Sequence, residues 1–290
     1  MAVSTTNATE LTQEQVAKIL VKPLEESAKF LAAGPRIFDT SGELRIPKLG
    51  GPTTVTWVGE NEQIPEGNPD FDEVVLLPST MKSLKTLTRY SNELARQTVV
   101  ALDAALKDRL VTDVAAKLDA QLFSASGNGT TEPQGLFAWA GTQTLAVGGA
   151  LELDDLHDAE ALALGENVNP AQLRWVMTSR ELIKLRKIKD TTGRYIVQPD
   201  VTGAGGYTLL GHPVIVSNRV PDDTAPTPDT ARAALVDFSQ VAVARDLAPT
   251  VKILDQTFGD YDQMAIRVVC RYDAKPLNSE AVIKLTGITI

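Results

Sequence analysis

Between Leu94 and Leu122 apolar residues return every three to five positions, at Leu94, Val99, Leu102, Leu106, Leu110, Val114, Leu118 and Leu122. Asp103, Lys107, Asp113 and Lys117 occupy the opposite face. That period is helical, with one stripe to bury and one to solvate. Some thirty residues at 1.5 Å each make a rod of about 45 Å, several times the usual three turns. A rod of that length must lie along the body of the fold and be covered on one side only. It stops at "SGNGTTEPQG", where Gly127, Gly129 and Pro133 end the helical pattern.

Upstream lies a stretch of the opposite character, "TVTWVGENEQIPEGNPDFDEVVLLP", residues 54–78. Val55 and Trp57 alternate with Thr54 and Thr56 as in a half-buried strand, and the segment from Phe71 to Leu77 reads as its return partner. Between them Gly59, Pro65, Gly67 and Pro69 forbid regular pairing, and Glu60, Glu62, Glu66 and Asp70 carry a single sign of charge. An isolated hairpin is marginal in water, so these flanks must join a larger sheet or lie against something else.

A chain of 290 residues buries roughly three-quarters of its unfolded surface and makes one large or two ordinary domains. No apolar run approaches the roughly 20 residues of a membrane span, and "MAVSTTNATELTQ" lacks the basic and apolar regions of a signal peptide, so a cytoplasmic origin is expected. A single cysteine, Cys270, excludes an intrachain disulfide framework. The formal charge of -9 and an aromatic content of 5% argue against a basic, stacking groove for nucleic acid.

Residues 11–33 have helical spacing broken at Pro23, and "AGPRIFDTSGELRIPKLGG" reads as an extended, loosely structured arm that docks on a neighbour or frays. After residue 139 helices and strands alternate. "LDDLHDAEALAL" is helical, "LRWVMTS" a strand and "SRELIKLRKIKD" helical. "GHPVIVSNRVP", "ARAALVDFS", "VKILDQTF", "DQMAIRVVCRYDAKPL" and "EAVIKLTGITI" are strands, which makes a mixed α/β layer.

Catalytic patterns are missing from this sequence. His157 and His212 are in no zinc-like spacing and read as core or surface side chains. "GNGTTE" lacks the third glycine of a dinucleotide loop and follows a helix rather than a strand, and "GAGG" at Gly203–Gly206 has no lysine after it. There is no G-x-S-x-G elbow and no acidic calcium loop. No cofactor is called for. Lys184, Arg186 and Lys187 cluster with Lys189 on one helix, which a solvated face with helix-end cations explains, an acidic partner being the alternative.

The succession of elements resembles the major capsid protein of tailed bacteriophages, of the Hong Kong 97 fold. "WVGENEQIPEGNPDFDEVVLLPSTMKSLKTLTRYSNELA" is similar to that family's extended loop leading into its spine helix. "GNGTTEPQGLF" is similar to the turn that closes this helix, and "RWVMTSRELIKLRKIKDTTGRYI", "LLGHPVIVSNRVPD", "ALVDFSQVAVARD" and "MAIRVVCRYDAKPLNSEAVIKLT" to later elements. Each motif alone is little more than apolar pattern and turn residues; their order along the chain makes the likeness specific.

The resemblance implies an α+β chain with an N-terminal arm at 1–48 and an extended loop hairpin at 49–79. It implies a peripheral domain at 80–138 and 247–277, and an axial α/β domain at 139–246 and 278–290. It also implies a closed shell of pentamers and hexamers around double-stranded DNA, with separate portal, scaffold and decoration proteins, no membrane and no sequence-specific DNA binding. Inter-subunit contacts are then expected at Trp57, Val58, Glu60, Glu62, Ile64 and Phe71 of the loop, Leu20 and Phe30 of the arm, and Lys184, Arg186 and Lys187. Some members weld neighbours through a loop lysine, but residues 54–78 contain none and Lys48 lies only at the loop base, so a shell without that cross-link is expected. The arm as read is also shorter than the family's long N-terminal scaffolding segment, so a separate scaffold protein or none is expected. Two other readings remain open on the residues, an encapsulin-like compartment and an α/β enzyme with a lid hairpin.

Overall fold

In a computed structural model the chain is described over residues 29–51, 55–67, 70–77, 82–91, 101–197, 207–223 and 229–290. Leu20, most of the 11–33 segment, and Leu94 and Val99 of the amphipathic stretch lie outside these residues. The described part of that stretch is α2, Ala101–Leu122, about 33 Å long at 1.5 Å per residue. It follows a one-turn helix α1, Lys29–Ala32. Leu110, Val114, Leu118 and Leu122 of α2 are buried while Arg109, Asp113 and Lys117 are exposed, so the sequence stripe is the packed one.

A four-stranded sheet lies beneath α2. Its order is β1 (Arg36–Asp39), β10 (Val241–Phe258), β11 (Gln263–Pro276) and β4 (Ser83–Ser91). β1 runs parallel to β10, and the other pairs are antiparallel. Val251, Ile266, Val268, Cys270 and Tyr272 turn into the same core as the α2 stripe, with the period of two that a half-covered sheet demands.

A second sheet of six strands is ordered β5 (Gln143–Ala146), β12 (Val282–Thr289), β9 (Thr230–Asp237), β6 (Leu173–Met177), β8 (His212–Val216), β7 (Thr208–Leu209). Here both faces are buried. Val176, Ala234, Val236 and Val282 join the core around α2, whereas Trp175, Met177, Leu235, Ile283 and Leu285 pack with α3 (Leu153–Gly165) and α4 (Ser179–Arg186). α3 opens with a capping box between Glu152 and Asp155, and α4 is capped by the Thr178 hydroxyl, which accepts from the Glu181 N–H.

Two buried polar side chains tie these layers together. On α2 the buried Asp119 carboxylate accepts from the Phe30 N–H at 2.9 Å and from Arg219 Nη1 at 2.8 Å, joining α1, α2 and the loop after β8. Lys284 of β12 donates from Nζ to the carbonyls of Phe137 and Trp139, closing the segment that follows α2; burial lowers its pKa, with the Arg232 charge adding to the effect. The turn itself depends on glycine. A Cβ on Gly135 would stand 2.2 Å from the Ser124 carbonyl oxygen, and one on Gly127, at φ +126°, 2.4 Å from that of Pro133.

Two expectations are overturned here. The strand from Phe71 does not return against the Trp57 segment. Instead β3 (Phe71–Leu76) pairs antiparallel with β2 (Leu44–Leu49), from Leu44↔Leu76 to Leu49↔Phe71, and residues 55–59 join no ladder. The reason is burial: β2 and β3 share a face, Leu44, Ile46 and Leu76, that packs on Ala242 and Ala244 of β10, and the Trp57 segment has no such surface to cover. Nor is the whole segment before residue 46 a loose arm. Phe30 has 0% exposure and meets Phe123, Phe238 and Trp139 edge to face at centroid distances of 5.3, 5.5 and 6.4 Å. Its side chain is used inside its own subunit, which contradicts its expected role as a contact to a neighbour.

Candidate inter-subunit interface

The loop begins from a hairpin base that is firmly held. Asp273 of β11, on the face opposite α2, accepts from Lys82 Nζ at 2.6 Å and from the Leu77 N–H at 2.9 Å; both ion-pair side chains are 1% exposed. Leu77 sits at φ +49°, a left-handed conformation that a leucine adopts only where its surroundings dictate it. The buried carboxylate thus fixes the point where the chain leaves β3, and Leu76 and Leu77 fill the space beside it. On the other side of the base Arg245 bonds Asp39, which holds the Asp39 carboxyl below its ordinary range and pins β1 to β10.

Beyond this base the apolar side chains turn outward. Leu49 and Phe71 close the hairpin ladder as an exposed pair, and Gly50 N–H donates to the Asp70 carbonyl at 2.8 Å. Val55, Trp57 and Ile64 then stand at 90%, 105% and 77% exposure. An isolated exposed leucine is unremarkable, but five large apolar side chains exposed along one loop are more than a monomer ordinarily leaves in water. Around them Glu60, Glu62, Glu66, Asp70, Asp72 and Glu73 give the loop six carboxylates, with no lysine or arginine between residues 54 and 78. The tip is shaped locally: Asn61 has φ +68°, and Glu62 folds back so that its carboxylate accepts from the Gly59 N–H at 3.1 Å.

Six of the expected contact residues, Trp57, Val58, Glu60, Glu62, Ile64 and Phe71, therefore share this one loop. Val58 is half-buried and the others are exposed. Lys184, Arg186 and Lys187 lie elsewhere, on and just after α4. Lys184 reaches Glu181 at 3.4 Å and the Thr289 carbonyl at 3.0 Å, and Arg186 lies over Tyr207 at 5.7 Å, so much of that cluster is engaged within its own domain. The two histidines meet at one carboxylate, Glu160, at 3.5 Å from His212 and 4.0 Å from His157. Among the described residues no group of three or more His, Cys, Asp or Glu could hold a metal ion, and no helix is long and apolar enough to cross a membrane.

Sequence reasoning missed Leu49, Val55 and the Lys82–Asp273 anchor. Leu49 could have been found from the alternation in "ELRIPKL"; the anchor gives no local signal, since its partners stand 191 residues apart.

The model of the phage capsid family matches residues 10–287. The chain belongs to that family. A relative named as the major capsid protein of Klebsiella oxytoca phage phiKO2 is 23% identical over 267 residues, which is 86% of this chain and 60% of that protein, so the chain spans less than two-thirds of that relative's length. Among solved structures, the capsid of an empty GTA particle computed with C5 symmetry superposes with a TM-score of 0.75 at 17% identity, covering 91% of this chain and 90% of the other. Microbacterium phage Oxtober96 gives 0.71 at 17% identity and 90% of both chains, and Mycobacterium phage Adephagia 0.68 at 17% identity and 89% of both. At that identity the likeness is one of fold: this capsid-family chain has the α+β, Hong Kong 97-like architecture.

Proposed function

We propose that this chain is a major capsid protein of a tailed phage, a structural subunit rather than an enzyme, which assembles into a closed icosahedral shell around double-stranded DNA. The observation that carries the reading is the loop, with Trp57, Ile64 and Phe71 displayed on a base that is rigidly anchored through Asp273. A loop of this kind gains its buried surface on another copy, and closed symmetry repeats the contact around pentamers and hexamers. In this reading residues 1–48 are the arm, 49–79 the extended loop, 80–138 with 247–277 the peripheral domain and 139–246 with 278–290 the axial domain.

Assembly takes place in the host cytoplasm with a separate portal protein, with a separate scaffold protein or none, and with decoration proteins in the mature virion. The -9 charge keeps adhesion to the packed genome weak, since each phosphate neutralised by Lys or Arg adds to affinity. Electron microscopy and sedimentation of the purified chain test the proposal: closed particles are expected, and the Trp57→Ala variant should remain a folded subunit while losing them. A strictly monomeric wild-type chain across the concentration range overturns it. Boiling mature particles in detergent should release a single-chain band, because the loop has no lysine for an inter-subunit weld.

A further inference from the structure

Between α2 and the β4 edge of the four-stranded sheet the packing leaves a cavity of about 130 Å³. Side-chain size accounts for it. Ile266, Val268, Cys270 and Tyr272 alternate along β11 on the face that α2 covers, and Cys270 is the smallest of the four. Its cross-strand partner is Leu84 of β4, and α2 contributes Leu118. Pro133, from the turn after the helix, and Tyr272 complete an apolar floor.

The polar groups deeper in this lining are engaged with the protein itself. Lys82 Nζ is held by Asp273, the Ser83 hydroxyl accepts from Arg271 Nε at 3.0 Å, and Gln121 Nε2 donates to the Pro133 carbonyl at 2.8 Å. Burial keeps the Cys270 thiol protonated, so it behaves as a small apolar group. At the mouth the exposed Lys117 and Glu132 carry opposite charges, which favours neither sign of ligand. A charged group passing inward would meet no free partner, and burying one unpaired is costly.

We propose that this cavity binds a small uncharged aromatic molecule, of one ring or two fused rings, between α2 and the sheet. The volume fits, since an apolar cavity of roughly 150 Å³ holds benzene. The lining favours a ring over a branched alkane, because the Tyr272 ring offers edge-to-face contact and the Cys270 sulfur a soft contact to a ring edge. A bound ring touches four stretches of chain that are distant in sequence: β4, α2, the turn at 131–133 and β11. Lys82, whose partner Asp273 anchors the loop, is on the same lining, so the ligand sits directly behind the loop base. None of this depends on the subunit's place in a shell.

The test uses the dissociated full-length subunit with indole, benzene and benzoate as probes. Indole should show saturable NMR contacts to the Leu84 and Leu118 methyl groups. At ten times its Kd it should raise the folded-to-unfolded ratio in urea about elevenfold. Benzene should displace it, and benzoate should bind at least about tenfold more weakly. Cys270→Leu fills the space, so that variant should weaken indole binding by at least about tenfold. The wild-type methyl contacts decide the question even where Cys270→Leu does not fold. Absence of saturable indole binding overturns the assignment, as do contacts confined to other methyl groups, benzoate binding as tight as that of indole, or unchanged indole affinity in folded Cys270→Leu.

Discussion

The Lys82–Asp273 pair lets a single buried contact be read quantitatively. Asp273→Ala removes the only ion-pair partner that Lys82 has among the described residues, leaving its ammonium 1% exposed and uncompensated. It also takes the acceptor from the Leu77 N–H, at a residue already held at φ +49°. Breaking a buried pair from one side costs about 3–5 kcal/mol, and an orphaned buried N–H about 1–3 kcal/mol. The two share a site and do not simply add, so a loss of about 4–6 kcal/mol is expected. Adding Lys82→Met to that variant removes the stranded charge while keeping an unbranched chain in the space, so the double variant should regain about 1–3 kcal/mol. Lys82→Met alone should be the mildest, because the carboxylate keeps the Leu77 and Ala274 N–H donors. Urea unfolding of the dissociated subunit, followed by tryptophan fluorescence, gives the order from the transition midpoints. Were Asp273→Ala to lose less than 1 kcal/mol, or the double variant to be no more stable than Asp273→Ala, the assignment of the pair as the loop's anchor would be wrong.

Other outcomes follow from the same core. Phe30→Ala opens a cavity between Phe123, Phe238 and Trp139 and should cost about 3–5 kcal/mol in the same assay, where a solvent-facing arm residue would cost almost nothing. Burial pushes the Cys270 thiol up to about 12, so the native chain should not react with a thiol reagent at pH 8, and the unfolded chain should react once. The hydrogen bond from Arg245 lowers the Asp39 pKa from 3.8, so the stabilisation it brings is present above that value and lost as pH falls through the lower folded one. Carboxyl NMR should place the Asp39 midpoint below 3.8, and Arg245→Gln should move it upward.

The sequence was sufficient wherever local periodicity and burial coincide. The stripe from Leu110 to Leu122 sets one face of α2 against the core, the alternation in "IRVVCRY" specifies a strand that buries alternate residues, and the unbroken apolar run "AALV" specifies one buried on both faces. It also sufficed for the surplus of the loop, since acid, glycine and proline around Trp57 forbid a core in any fold. In β4 Lys85, Leu87 and Arg89 alternate with Leu84, Thr86 and Thr88, but a period of two identifies a face without saying whether anything covers it.

Pairing was the part that required three dimensions. The choice of Leu44–Leu49 over the Trp57 segment as partner to Phe71–Leu76 depends on Ala242 and Ala244, nearly 170 residues beyond, whose small side chains admit one hairpin face. Phe30 is expected, as part of the arm, to contact a neighbour; packing on Phe123, Phe238 and Trp139, with its backbone N–H held by Asp119 from α2, places it in its own core. A carboxylate such as Asp273 reads the same whether it is solvated or buried; only the fold, by surrounding it with Lys82 and the Leu77 N–H and excluding water, turns that charge into the fixed point from which the loop extends.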